Sequence, residues 1–153
     1  DDIRIKKRRF ALGNNIKALE NYNLNINKYK NINKDWVKTS LSYDYYNIAL
    51  IYYDLENYKM ALDNILKSFD YEKTSNTSLF IGNCYVELNR YEDAVKFYNI
   101  SNNIEESGVA FYNLHICKEK LELPYCDDLK KSCNLGHKKG CKYYKLDCSK
   151  TID

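Results

Sequence analysis

One phrase of the sequence occurs twice, 33 residues apart, and this repetition limits the possible folds more than any other feature. Residues 58–62 read Tyr-Lys-Met-Ala-Leu, and residues 91–95 read Tyr-Glu-Asp-Ala-Val. The match extends upstream, because Tyr52 and Tyr85 precede the two phrases at the same offset. A period of this length indicates stacked supersecondary units, none of which can bury its apolar face without its neighbours.

Each period carries the signature of two helices. Tyr45, Ile48 and Tyr52 lie at helical spacing, and the same spacing resumes at Tyr58 after an interruption at 56–57. The chain has only one proline and five glycines, and no stretch shows the alternation expected of a strand. The periodicity predicts helices over 3–20, 23–37, 42–55, 58–71, 76–88, 91–100, 108–121, 125–135 and 140–149.

Small residues recur where the paired helices would face each other. Ala49 and Gly82 hold this place in the first helices, and Ala61 and Ala94 hold it in the second. Together with the recurring tyrosines, this arrangement resembles the tetratricopeptide repeat. The resemblance implies an all-α fold, a right-handed α-solenoid of stacked antiparallel helix pairs that forms a single domain over 1–153. Its repeats are predicted at 6–40 (degenerate), 42–74, 75–107 and 108–139, with a capping helix at 140–149.

The first and fourth of these four units depart from the pattern at informative positions. Asn25 replaces a small residue in the degenerate first unit, and His115 replaces one in the unit at 108–139. End repeats are commonly atypical, because one of their faces meets water instead of a neighbour. We predict that His115 is a core residue.

Two of the six cysteines share one place in consecutive repeats. Cys84 and Cys117 lie 33 residues apart. Equivalent points on neighbouring helices are ~8–10 Å apart, whereas a disulfide requires Cα atoms within ~7 Å. Both are therefore predicted to be free thiols that pack as small apolar side chains.

The other four cysteines are arranged symmetrically about His137. Cys133 and Cys141 each lie four residues from it, and Cys126 and Cys148 each lie eleven. Because residues equidistant from the turn meet in an antiparallel helix pair, the spacing predicts the bridges Cys133–Cys141 and Cys126–Cys148. The segment also resembles bacterial cysteine-rich Sel1-like repeat proteins, whose disulfide spacing the inner pair fits; the outer pairing rests on symmetry alone.

Two alternatives for these cysteines remain open. The first is a zinc site with His137 as an additional ligand, although one ion with ligands at ~2.3 Å would not reach two levels separated by ~10 Å along the helices. The second is a set of free thiols in a cytoplasmic protein. If the disulfides form, the compartment is oxidising, and a bacterial periplasmic or secreted protein is expected.

Charge and residue pattern exclude several classes of function. The net charge of +3 is too small to imply a nucleic-acid partner. The basic run at 4–9 is interpreted as a solvated helix face, with acidic lipid or a phosphate backbone as the alternative contact. No apolar run approaches the ~20 residues of a membrane span. The two histidines, His115 and His137, lack a partnered nucleophile, so we expect no enzyme, no metal and no cofactor.

The tetratricopeptide resemblance implies where a partner binds. In that family the first helices line a concave face that holds an extended segment or helix of a protein partner. Transferring these positions by register predicts the partner-binding residues Phe10, Asn14, Tyr43, Tyr46, Leu50, Tyr53, Asn76, Leu79, Asn83, Tyr112 and Ile116. The Lys, Asn and Arg set with which one subgroup holds a C-terminal carboxylate is incomplete here, so tail binding of that kind is not expected.

The resemblance therefore implies a scaffold or adaptor for a protein partner. Two alternatives fit the same residues. The chain could be a structural or self-assembling piece of a longer solenoid, with its groove filled by its own segments. It could also be a Sel1-like secreted protein associated with the cell wall.

Overall fold

A computed structural model describes the backbone from Asp2 to Ser149 and the side chains from Gly13 to Ser149. Every regular element in this range is helical, which confirms the predicted all-α fold class. The helices are α1 Asp2–Tyr29, α2 Asp35–Asp54, α3 Tyr58–Tyr71, α4 Ser75–Glu87, α5 Tyr91–Ile104, α6 Gly108–Lys120, α7 Cys126–Asn134 and α8 Lys138–Tyr143, and a π-helical turn Tyr144–Cys148 follows. The chain divides into two compact units, residues 1–72 and 73–153.

The first unit contains α1, α2 and α3, and here the sequence-based helix map was wrong. A break was predicted at 21–22 and a second helix from 23, but α1 continues to Tyr29 and α2 already begins at Asp35. The physical reason is the absence of a glycine or proline near residue 21, together with an unbroken stripe of Leu19, Tyr22 and Ile26 at helical spacing.

That stripe on α1 packs on α2. The core of the first unit is Ile26 from α1 with Val37, Leu41 and Ile48 from α2, all at most 6% exposed. Partly buried tyrosines pack against this core, and they are Tyr22, Tyr29, Tyr45, Tyr52 and Tyr71.

A polar contact lies beside this apolar core. The Asn25 side-chain amide donates to the Asp44 carboxylate and, at 3.4 Å, to the Ser40 hydroxyl. Asp44 is only 5% exposed, and burial raises the pKa of its carboxyl above the ordinary value, although the Asn25 hydrogen bond opposes this. The departure at Asn25 thus joins α1 to α2 through a buried polar pair.

The second unit repeats the helix-pair arrangement in α4–α5 and α6–α7, and α8 packs beyond them. Gly82 allows close approach in the first of these pairs, because a Cβ there would overlap the ring of Tyr98. Ala94 is fully buried on the facing helix. Both small residues therefore do what their recurrence predicts.

Two residues after the ends of α2, α4 and α6 lies a residue with positive φ, and these residues follow the same 33-residue period. Glu56, Asn89 and Glu122 have φ of 58°, 57° and 55°. A left-handed residue after the last turn closes the helix by turning the chain back, and the positions are normally occupied by glycine or asparagine. Only Asn89 is one of these residue types.

A buried serine hydrogen bond recurs once in every helix pair. Ser68 Oγ donates to the carbonyl of Ser42 at 2.8 Å, and Ser101 Oγ donates to the carbonyl of Ser75 at 3.0 Å. In the α6–α7 pair, Ser132 Oγ donates to the carbonyl of Gly108 at 2.6 Å. All three serines are fully buried. The acceptors at 42, 75 and 108 follow the sequence period, so the same bond ties each second helix to the equivalent position of its first helix.

Candidate partner-binding surface

In the first unit, the predicted binding residues form one stripe along α2. Tyr43, Tyr46, Leu50 and Tyr53 are spaced three, four and three residues apart, so they share one helix face. Tyr43 is 64% exposed and Leu50 is 38% exposed. We call these four residues the α2 stripe.

The two other tyrosines of the α2 stripe lie deeper than the register predicts. Tyr46 and Tyr53 are half-buried. Burial raises the pKa of the Tyr46 phenol, and the Tyr53 ring contacts Tyr58 edge to face, with centroids 5.1 Å apart. The exposed contact area of the stripe therefore comes mainly from Tyr43 and Leu50, whereas Tyr46 and Tyr53 support it from beneath.

Of the two binding residues predicted on α1, the structure describes the side chain of only one. Asn14 is exposed. Phe10 falls among the residues whose side chains the structure does not describe, as does the basic run at 4–9. Their part in binding stays a prediction.

In the second unit, the predicted residues of α4 and α6 differ in solvent exposure and in whether their polar atoms are already hydrogen-bonded. Asn76 is exposed, while Leu79 and Ile116 are half-buried. The Asn83 side-chain oxygen accepts the Tyr98 hydroxyl at 2.8 Å and the Asn113 amide at 3.1 Å. This oxygen therefore joins α4 to both α5 and α6, a positioning role that the repeat register did not reveal.

Tyr112 lies at a depression of about 520 Å³ that the sequence did not predict. Val109, Tyr112 and Asn113 of α6 form one side, and residues 136–139 of the α7–α8 turn form the other. We call this depression the loop cleft. The only feature of the sequence that indicated this cleft was the pair Lys138 and Lys139. The pair follows His137, about which the four C-terminal cysteines are arranged symmetrically.

His137 fixes the turn against α6. Its Nδ1 accepts the backbone N–H of Gly140 at 3.1 Å, which caps the start of α8. Its ring lies 4.8 Å from that of Tyr112. Burial, followed by the charges of Lys139 and His115, lowers the pKa of His137 below its ordinary value, which favours the neutral imidazole.

His115 lies on the buried side of the same aromatic group. It is 4% exposed, its Nδ1 is in contact with the Tyr112 carbonyl, and its ring lies 4.7 Å from the Tyr112 ring. Tyr125 and Tyr143 also approach it, at 5.8 and 5.9 Å between centroids. The histidine at a small-residue position thus supports an aromatic cluster beneath the loop cleft.

Two disulfides hold the helices that carry the turn. Cys133–Cys141 and Cys126–Cys148 are both present, with Cα atoms 4.2 and 5.6 Å apart. This pairing is the one that the symmetry about His137 predicts, and it consumes the thiolates on which the zinc alternative depended. In a short segment, two bridges are typical of a protein from an oxidising compartment.

Cys84 and Cys117 remain free and fully buried. Burial raises the pKa of the Cys84 thiol to about 12 and that of Cys117 to about 11. Since the thiolate is the reactive form, these cysteines are chemically inert in the folded protein.

Comparison with known families supports the repeat assignment. Residues 34–99 match the family "Anaphase-promoting complex, cyclosome, subunit 3", which is of the tetratricopeptide type. The match begins directly before α2 and ends within α5. Residues 34–99 are therefore similar to tetratricopeptide-type repeats. No curated protein matches the chain.

Tetratricopeptide-type repeats are in general scaffolds for protein–protein interaction and are typically non-enzymatic. Protein partners are therefore the expected ligands. No helix in the described part of the chain is long and apolar enough to cross a membrane. The resemblance of the C-terminal segment to Sel1-like proteins stays a prediction.

Proposed function

We propose that this chain is a scaffold or adaptor that binds an extended segment or a helix of a protein partner on the faces of its first helices. The observation that carries the proposal is the α2 stripe. Tyr43 and Leu50 are both exposed on the same face of α2, two helical turns apart. This is the face that tetratricopeptide-type repeats use for binding.

Aromatic side chains at the centre of an interface often contribute most of the binding free energy, each with ~2 kcal/mol or more on truncation. Tyr43 is suited to that role because its ring is exposed before binding, and its backbone is fixed within a helix. The Asn47 side chain donates to the Tyr43 carbonyl at 2.8 Å, so this polar neighbour is already engaged with the helix.

We further propose that the protein works in the periplasm or outside a bacterial cell. Support comes from the two disulfides, which persist in oxidising compartments and are rare in the cytosol.

Selection from a phage-displayed library of random peptides tests the binding proposal. The native chain should enrich a family of related peptides, and Tyr43→Ala/Leu50→Ala should bind them about tenfold or more weakly, equivalent to ~1.4 kcal/mol. Because both side chains are exposed, the thermal melt of the variant should remain close to that of the native chain.

The matched control for this selection is Lys59→Ala/Met60→Ala, which removes two exposed side chains from α3 in the same unit. It should bind the selected peptides like the native chain. Equal losses in both variants, or no loss in the α2 variant, would contradict binding through the α2 stripe.

A second candidate, self-assembly through α1, is favoured by one observation. Ile16 and Leu24 are 51% and 67% exposed and line a depression of about 550 Å³ along α1. Apolar surface of this kind marks contact sites. Sedimentation equilibrium decides between the two candidates: self-assembly predicts a dimer or larger species that becomes monomeric in Ile16→Glu/Leu24→Glu.

A further inference from the structure

We infer that the loop cleft takes an acidic segment of the partner protein that presents one large apolar side chain. This inference rests on the proposed function and specifies the chemistry of the partner at a site other than the α2 stripe. It depends on three features of the second unit: an apolar floor, an unmatched positive rim and a turn that is held in place before binding.

The apolar floor belongs to α6. Val109 is 44% exposed, which is unusual for a valine at the start of a helix that is otherwise packed on both sides. The Tyr112 ring also lines the cleft, and the rings of His115 and His137 contact it, with centroids 4.7 and 4.8 Å away. A cavity of about 520 Å³ has room for one large side chain and the adjacent backbone.

The rim of the loop cleft is positively charged without compensation. Lys138 and Lys139 are exposed, and neither forms an ion pair with another residue that the structure describes. None of the residues that line the cleft carries a carboxylate. Glu119 is the acidic group whose charge is felt by the Tyr112 hydroxyl, and it lies outside the lining. Charge complementarity therefore favours aspartate or glutamate next to the apolar anchor.

The turn that carries the two lysines is held by a disulfide bridge and by a helix cap. The Cys133–Cys141 bridge closes it covalently. His137 caps Gly140, and Gly136 adopts φ of +79°, which a glycine reaches without steric cost. Little conformational entropy remains to be lost on binding, so a weak set of contacts can still give measurable affinity.

Fluorescence anisotropy with a synthetic probe tests the inference. The probe is a fluorescein-labelled peptide of about ten residues with one phenylalanine flanked by aspartates and glutamates. Counterparts replace the acids by asparagine and glutamine, the acids by phosphoserine, or the phenylalanine by alanine. The acidic probe should bind about tenfold more tightly than its amide and alanine counterparts, and the preference over the amides should shrink in high salt.

Charge-reversal variants locate the site. Lys138→Glu/Lys139→Glu should abolish the preference for the acidic probe. Lys130→Glu/Lys145→Glu changes the net charge equally at exposed positions of the same unit and should retain it. Equal effects of the two variants would show that only overall charge matters and would overturn the inference. A probe that binds only in its phosphoserine form would also overturn it.

Disulfide variants test the role of the constrained turn. Cys133→Ser/Cys141→Ser should weaken binding of the acidic probe more than Cys126→Ser/Cys148→Ser, which leaves the turn closed. Circular dichroism verifies that both variants are still helical. The reverse order of the two losses would contradict a preformed cleft.

These outcomes are separable from those of the proposed function. If charge reversal changes nothing while Tyr43→Ala/Leu50→Ala abolishes binding of the selected peptides, the α2 stripe is the binding surface and this inference falls. If the acidic probe binds through Lys138 and Lys139 but the α2 variant behaves like the native chain, the inference about the cleft stands without the stripe.

Discussion

The first helix of the first unit and the last helices of the second unit are held in place in different ways. At one end α1 has 28 residues and is held to α2 by an apolar stripe and the buried Asn25–Asp44 contact. At the other end α7 and α8 have nine and six residues and are joined by two disulfides. Helices so short are marginal by themselves and bury little apolar surface. The comparison teaches that covalent links replace packing where the helices become too short to supply it.

Removing both disulfides should give the largest effect. Bridges that close segments of 22 and eight residues each contribute ~2–4 kcal/mol by restricting the unfolded chain, or about 5 kcal/mol together. Replacing the four cysteines by serine should therefore release α7 and α8. Hydrogen exchange should show lost protection over 126–148 with α2 and α3 unchanged. Retained protection over 126–148 would show that packing alone holds the short helices, and would contradict the role assigned to the disulfides.

Truncation of the α1 stripe should come next. Ile26 is 6% exposed at the centre of the core between α1 and α2, so Ile26→Ala should reduce the free energy of unfolding by about 3 kcal/mol. Leu24→Ala is the matched control, because Leu24 is 67% exposed on the same helix, and it should change stability little. Urea denaturation measures both. Similar losses for the two variants would place the packed face of α1 elsewhere.

The two ends should also respond to pH in opposite directions. The folded pKa of Asp44 is raised above its ordinary value near 3.8. Its favourable contribution is therefore complete below that value and is lost as pH rises through the raised pKa. Asp44→Asn should stabilise the first unit at pH 7 and have no such effect at pH 3, measured by urea denaturation at each pH. A penalty at pH 7 would mean that the ionised carboxylate itself is needed by Asn25.

His137 gives the opposite slope at the disulfide-bonded end. Its folded pKa is lowered below the ordinary value of 6.5, so its stabilising contribution is present above 6.5 and is lost as pH falls through the lowered pKa. Protonation also removes the Nδ1 acceptor that caps Gly140. His137→Asn keeps a capping oxygen but does not titrate, and its melting temperature should be less sensitive to pH between 7 and about 5. An identical pH profile in the variant would exclude this role.

The smallest effect concerns the helix ends with positive φ. Relieving a left-handed conformation gains ~1–2 kcal/mol, and the added freedom of glycine in the unfolded chain costs ~0.5–1 kcal/mol. Glu56→Gly and Glu122→Gly should thus stabilise the two units by about 0.5–1 kcal/mol each. Asn89→Gly is the control and should gain less, because asparagine tolerates this conformation. Thermal melts would rank the three variants.

The period in the sequence was sufficient to place the central helices. The predicted helix at 58–71 coincides with α3, and the predicted start at 91 coincides with α5. The same reasoning failed at α1, where the degenerate repeat predicted at 6–40 required two helices. Tyr22 and Tyr29 instead pack from one continuous helix on the core of the first unit. Periodicity identifies the buried face of a helix reliably. The end of a helix, however, requires a residue that interrupts the helix, such as glycine or proline, and neither occurs near residue 21.

The candidate site was only partly accessible from the sequence. Register correctly placed Tyr43 and Leu50 on the surface of α2, because helical spacing fixes which residues share a face. It did not show that the Asn83 oxygen is occupied by Tyr98 and Asn113, since those partners come from two other helices. The loop cleft was missed for the same reason. It exists only because a turn distant in sequence lies against the start of α6.

Burial of Cys84 and Cys117 has a consequence for how the protein matures. A newly made chain in an oxidising compartment exposes six thiols that can pair in many wrong ways. Once α4 and α6 are packed, two of those thiols are withdrawn, and the remaining four are already sorted by their distance from one turn. In such a compartment, correct pairing would require α4 and α6 to pack before their thiols are oxidised. A catalyst that reshuffles mispaired bridges would rescue chains in which oxidation comes first.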